Sequence, residues 1–202
     1  MKLYYSPGAC SLAPHIVARE ADHDFELIRV DIPNKKTESG DDFWKINPKG
    51  YVPALALEDG EVLTEASVIC QYLADQKPES GLISPFGSMQ RYHDMALLNF
   101  ASAEMHKQIG ALFNPALTPE MKEVQKATIA RRLKSLEQML EGKKYVSGER
   151  FMVADAYIFT VLNWTRLHQI ALDPWPNIQA YMQRVAERDK VREAMAAEGL
   201  IR

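Results

Sequence analysis

Met1-Lys2-Leu3-Tyr4-Tyr5-Ser6-Pro7-Gly8-Ala9-Cys10-Ser11-Leu12-Ala13-Pro14-His15-Ile16-Val17-Ala18 opens the chain and decides its fold class. Lys2 to Tyr5 is a short run with aromatic content, Ser6-Pro7-Gly8 is turn chemistry, and an apolar helical pattern runs on from Leu12, so the segment reads strand, loop, helix. Cys10 therefore sits where a helix begins. The unpaired N–H groups and partial positive charge of a helix N-terminus favour a thiolate over a thiol. A free cysteine is about 3% thiolate at pH 7. A helix end contributes roughly 0.3 to 1 kcal/mol, less than about one pKa unit, so a further donor or positive charge is needed if Cys10 is to be mostly ionised. The alternative is a buried cysteine acting as a small hydrophobe. Ala13 stands three residues on, which excludes a dithiol redox motif, so any disulfide of Cys10 forms with a ligand or another protein.

A length of 202 residues allows one large or two small domains. With 47% hydrophobic and 25% charged residues the composition is that of an ordinary globular protein. The formal net charge of −3 gives no reason to expect nucleic acid or an acidic membrane surface as partner. Met1-Lys2 leads into a strand rather than an apolar signal region, and no apolar run approaches the roughly 18 residues of a membrane span. Two cysteines, Cys10 and Cys70, fit a reducing compartment, and the expected location is cytoplasmic.

Phe25 to Asp31 reads as a second strand, with Lys35-Lys36 in the polar segment beyond it. Asp41 to Ile46 is a short amphipathic turn or helix, closed by the turn sequence Asn47-Pro48-Lys49-Gly50. Two apolar runs, Tyr51 to Leu57 and Val62 to Thr64, flank Asp59-Gly60 as a hairpin, and Pro53 begins the first of them at no cost in ladder bonds. Thr64 or Glu65 opens a helix through about Asp75. The order is βαβ, an irregular helix, ββ, α. Residues 79–87 read as a linker between a domain over 1–78 and an all-helical domain over 88–202, whose breaks fall at Asn114-Pro115, Thr118-Pro119, Gly142, Gly148 and Asp173 to Pro176.

These residues carry a family resemblance across the whole chain. Pro7-Gly8-Ala9-Cys10, then Asn47-Pro48-Lys49-Gly50-Tyr51-Val52-Pro53-Ala54-Leu55 and Leu63-Thr64-Glu65, resemble a bacterial glutathione S-transferase of the beta class. So do Asn99-Phe100, Glu104-Met105-His106-Lys107, Phe151-Met152-Val153-Ala154-Asp155-Ala156-Tyr157 and Ala197-Glu198-Gly199-Leu200. The fold the resemblance implies is α/β plus all-α: a thioredoxin-like glutathione-binding domain, then a helical domain with the electrophile pocket and dimer contacts.

The site implied is one for glutathione, which carries two carboxylates, an amino group, two peptide units and a thiol. By the resemblance Val52, before a cis Pro53, offers its N–H and C=O to the cysteinyl peptide. Glu65 pairs with the amino group, the Ala66 N–H at a helix start meets the γ-glutamyl carboxylate, and Lys35 meets the glycine carboxylate. Relatives often have a hydroxyl residue where this chain has Ala66, and losing its bond is worth about 0.5 to 1.5 kcal/mol. Asn99, Ala103, Glu104 and Met105 are implied as contacts on a helix that faces the ligand and a neighbouring subunit. His106 and Lys107 supply the donor and charge that Cys10 requires, which makes Cys10 and His106 the implied catalytic pair. Tyr5 and Trp164 are placed at the electrophile pocket, with core packing the alternative for Trp164. The other histidines show no metal-site spacing, and no metal is assigned.

Asp155 reads as structural rather than catalytic. Family members tend to have Ser or Thr three residues before it, forming a capping box, and this chain has Met152 there. With Met152 taken as only partly buried, restoring Thr is expected to stabilise the helix narrowly.

The function implied is a homodimeric glutathione transferase that attacks small hydrophobic electrophiles, halogenated aromatics among them, with the glutathione thiolate. Tyr4 and Tyr5 lie on the strand where other transferase classes keep a catalytic tyrosine, but the Cys10 motif points away from that mechanism. Two alternatives stay open: glutathione-dependent thiol-disulfide or peroxide chemistry through Cys10, and a non-catalytic ligand-binding protein of the same fold.

Overall fold

The computed structural model describes residues 1–201 and divides the chain into two units, one of Met1–Ile83 with the segment from Arg188 on, the other Ser84–Glu187. In the first unit β1 (Lys2–Tyr5) is the middle strand of a five-stranded sheet of order β3-β2-β1-β4-β5. It pairs in parallel with β2 (Glu26–Asp31) and antiparallel with β4 (Ala54–Ala56), which forms the hairpin with β5 (Val62–Thr64). The parallel pair needs a crossover, and α1 (Leu12–Glu20) supplies it. The two-residue β3 (Lys36–Thr37) extends the β2 edge; so short a strand carries no alternation for a sequence to show.

Tyr4 packs with Val30, Phe43, Val52 and Ala54, and its ring centroid lies 5.7 Å from that of Phe43 in the expected single turn of helix, here 3₁₀ (Phe43–Lys45). Leu12 to Ala18 are all buried, because α1 is covered by α2 (Ala66–Gln76) and by α8 (Asp189–Ala197).

The place of α8 departs from the sequence expectation of a helical domain over 88–202. Val191 and Ala194 are fully buried, Arg188 makes a two-pronged pair with Glu20 at 2.6 and 2.7 Å, and Lys190 reaches Asp22 at 3.0 Å. A helical pattern shows that a helix has an apolar face but not which unit that face covers. The division falls after Ile83, inside the expected linker, where Leu82 and Ile83 are already buried.

The second unit is helical: α3 (Met89–Asn99), a π-helical stretch (Phe100–His106) running into α4 (Lys107–Gly110), then α5 (Pro119–Met139), α6 (Val153–Leu167) and α7 (Pro176–Ala186). Ser88 and Thr118 cap α3 and α5 by accepting from the N–H groups of Arg91 and Met121. Every residue of α6 from Val153 to Leu162 is buried, and the π-helical stretch, α3, α4 and α7 pack around it. Its first turn is fixed by Asp155, whose carboxylate accepts from the N–H groups of Val146 and Met152, each at 2.9 Å. The missing half of the capping box is filled by backbone: the Asp155 N–H donates to the Met152 carbonyl at 2.9 Å. Met152 is only 5% exposed, so the sequence expectation of a partly buried boundary residue is corrected: it is a packing residue. No helix among the described residues is long and apolar enough to cross a membrane.

Candidate active site

In the first unit Cys10 ends a tight loop. The Ser6 carbonyl accepts from the Ala9 N–H at 3.0 Å, and the Ser11 hydroxyl both donates to that carbonyl at 3.3 Å and accepts from the Ser6 N–H at 3.2 Å. The half-exposed Cys10 thiol donates to the carbonyl of Val52, with Sγ 3.3 Å from the oxygen. The Val52–Pro53 peptide is cis. Cys70, in contrast, is fully buried within α2, and burial pushes its thiol far above the ordinary range.

A buried polar chain that sequence reasoning missed holds the Cys10 loop from below. The Arg19 Nε–H donates to His15 Nε2 at 2.8 Å, and since arginine can only donate, that nitrogen is the acceptor. His15 Nδ1 therefore carries the proton in the neutral ring and donates it to Glu198 Oε1 at 2.8 Å, while Glu198 Oε2 accepts the Gly8 N–H at 2.9 Å. Gly8 has φ +69, the left-handed region that favours glycine, and a Cβ there would come within 3.3 Å of the Leu200 side chain. In the sequence no local rule joins these residues, since His15 lies on an apolar helical pattern and Glu198 stands 183 positions away.

Lys35 stands at φ +54 and gives its ammonium to the Gly50 carbonyl at 2.8 Å, 5.5 Å from the ring centres of both Trp44 and Tyr51. Gly50 must be glycine here, because a Cβ would lie 2.7 Å from the Trp44 ring. Glu65, at φ +72, precedes α2 and pairs with Lys49 at 2.8 Å. Lys49 was legible only as part of a turn. Ala66 begins α2 and is buried.

Tyr4 and Tyr5 are 8% exposed, and burial first of all pushes both phenols above their ordinary value. Neither is poised to ionise. Tyr5 keeps little surface for an electrophile, and its ring lies 6.3 Å from that of His15.

In the second unit His106 ends the π-helical stretch with Nδ1 2.8 Å from the Tyr157 hydroxyl and its ring centre 4.9 Å from that of Trp164. Lys107, Asn99 and Ala103 are exposed, and Glu104 is ion-paired with Arg132. Met105 is fully buried, so its side chain has no surface to offer a ligand in the single chain. Trp164, 6% exposed, is mostly a packing residue against His106 and Phe113.

Residues 8–76 match the family described as Glutathione S-transferase, N-terminal domain, and residues 100–189 match Glutathione S-transferase, C-terminal domain. The chain is similar to the glutathione S-transferase GstA of Escherichia coli O157:H7, with 46% identity over 99% of this chain and all of that protein. Among solved structures, a beta-class glutathione S-transferase of Sphingomonas chungbukensis superposes with a TM-score of 0.96 at 43% identity, covering all of both chains. A sphingomonad glutathione S-transferase complexed with glutathione superposes equally well, with a TM-score of 0.96 and 44% identity over all of both chains.

Proposed function

The chain belongs to the glutathione S-transferase family, in its bacterial beta class, and is a glutathione transferase; from that premise we propose the roles of its residues. Glutathione lies along the Val52 edge, with its cysteinyl peptide on the Val52 N–H and C=O, its amino group at Glu65, its γ-glutamyl carboxylate at the Ala66 N–H, and its glycine carboxylate at Lys35. The observation that carries this reading is the 3.3 Å approach of Cys10 Sγ to the Val52 carbonyl, which sets a sulfur beside the backbone edge that the ligand's own cysteine would use. Glu65 and its partner Lys49 are exposed, so exchanging that pair for the ligand's amino group costs at most about 1 kcal/mol.

The second unit contributes His106 and Lys107, which stabilise the glutathione thiolate as it attacks an electrophilic carbon and displaces a leaving group such as halide. Asn99 and Glu104 serve the γ-glutamyl end across a homodimer interface. The exposed apolar side chains Met89, Tyr92 and Met95 along α3 support the dimer, being 69%, 58% and 42% exposed in the single chain. The two cysteines, neither in a disulfide, support a reducing, cytoplasmic location.

A second chemistry is favoured by one contrast, the half-exposed Cys10 against the buried Cys70. The Cys10 thiolate attacks oxidised glutathione, forming a mixed disulfide and releasing one glutathione thiolate. Turnover of a chromogenic aryl halide with glutathione tests the transferase, and reduction of hydroxyethyl disulfide tests the exchange. Cys10→Ala is expected to abolish the second activity and only reduce the first, because His106 and backbone donors remain. Equal loss of both would mean that Cys10 is needed for glutathione binding itself.

A further inference from the structure

His106 is the residue to which the reading above gives the thiolate, and the surroundings of its ring are unusually complete. Tyr157 and Trp164 stand seven residues apart on α6, two turns along one face, and both meet the same imidazole. The Tyr157 ring meets it edge-on with centres 5.9 Å apart, and the Trp164 ring does so at 4.9 Å. Gly110, one turn after His106, closes the remaining side: a Cβ there would lie 3.3 Å from His106 Cδ2 and 3.8 Å from Nε2. Gly110 has ordinary helical angles, φ −62 and ψ −27, so the backbone does not require a glycine at this position. The imidazole does.

We propose that Tyr157 is a positioning residue for His106: its buried hydroxyl donates to Nδ1 and so fixes the neutral tautomer in which Nε2 carries the proton. Tyr157 is 3% exposed, and a phenol O–H withdrawn from water needs an acceptor, which the in-plane lone pair of Nδ1 provides at 2.8 Å. The opposite arrangement, with Nδ1–H donating to the phenol oxygen, would leave Nε2 as an acceptor, the wrong polarity toward an anionic sulfur. With Tyr157 on Nδ1, the other nitrogen is a donor without the ring having to be charged. Trp164 and Gly110 then hold the ring plane. The rigidity comes from α6, whose first turn is pinned by Asp155 two residues before Tyr157.

The inference rests on the placing of His106 at the glutathione sulfur, and the test separates the two. Tyr157→Phe keeps the ring and deletes only the hydroxyl. In the full chain, with glutathione and a chromogenic aryl halide, kcat is expected to fall about two- to twelvefold, the rate equivalent of one neutral hydrogen bond, with KM for glutathione little changed. The double variant with His106→Ala is expected to be no slower than His106→Ala alone. Nitrogen NMR of the isotope-labelled protein is expected to show a protonated Nε2 on His106 in the parent and a mixture of tautomers in Tyr157→Phe. A parent protonated at Nδ1, or a tautomer that Tyr157→Phe leaves unmoved, overturns the proposal. A tautomer that shifts while kcat stays constant overturns the placing of His106 at sulfur, and with it any role for Tyr157 in the reaction.

Discussion

The Cys10 sulfur and the Val52 carbonyl oxygen are 3.3 Å apart, although the two residues come from a helix start and a strand approach separated by 42 positions. A hydrogen bond from the thiol to a carbonyl stabilises the neutral form, opposing the helix end that favours the thiolate. Reactivity at Cys10 is therefore a balance that a ligand on Val52 can shift. Intact-mass measurement after treatment with oxidised glutathione is expected to show one adduct, abolished by Cys10→Ala. An adduct that persists in that variant would mean that Cys70 is reachable despite its complete burial.

Gly110→Ala is expected to slow conjugation without weakening the fold. Alanine in place of a helical glycine gains up to about 1 kcal/mol of helix propensity. The added methyl, 3.3 Å from His106 Cδ2, moves the ring by a few tenths of an ångström. Displacement of a positioned group by about an ångström costs about a hundredfold in rate, so a loss of roughly threefold or more is expected, with an unchanged or higher melting temperature. Full activity in this variant would show that the ring is not held from that side.

Met152→Thr is now expected to destabilise, the reverse of what the capping motif alone suggests. A threonine cap contributes about 0.5 to 2 kcal/mol. The methionine side chain is 5% exposed, and losing a buried side chain of that size costs about 2 to 5 kcal/mol when the gap is left unfilled. The Asp155 N–H that the new hydroxyl would serve already has the Met152 carbonyl. The urea midpoint, measured without glutathione so that binding does not shift it, should fall. A higher midpoint would restore the capping account.

Alkaline stability carries a separate signature. Burial raises the phenols of Tyr4 and Tyr5, and raises Tyr181 well above the ordinary value, with the nearby Asp155 carboxylate adding to the last. The folded chain therefore holds these protons more tightly than the unfolded one. Their contribution is complete below about pH 10, the unfolded value, and is lost as pH rises through the folded values. Phenolate absorbance followed alongside fluorescence should show part of the eight tyrosines ionising only as the chain unfolds. Ionisation of all eight before unfolding would contradict this.

Legibility in the sequence followed the range of the interaction. β1, the Cys10 loop and α1 carry strand, turn and helix signals within a few residues, which made their order legible, although what holds them in place is distant in the chain. The π-helical stretch left no mark, because an i to i+5 bond replaces i to i+4 with almost no change in the pattern of apolar residues. Lys49 with Glu65 and His106 with Tyr157 are 16 and 51 residues apart, and no local rule joins them. Met152 was misjudged for the same reason: a cap is a local matter, while burial depends on distant chain. The candidate site residues came from the resemblance and not from spacing, and among them Met105 has its side chain fully buried.

The return of α8 to the first unit has a consequence for synthesis on the ribosome. The sheet and its first two helices are translated early, yet the buried partners of His15 and Gly8 sit on Glu198. At about 5 to 20 residues per second, roughly 5 to 20 seconds pass between Ile83 and Arg188, and for that interval α1 has α2 against it but not yet α8. The nascent chain therefore emerges with a cysteine loop that is formed in sequence but not yet anchored. The first unit is begun first, yet it is completed only after the second has been made.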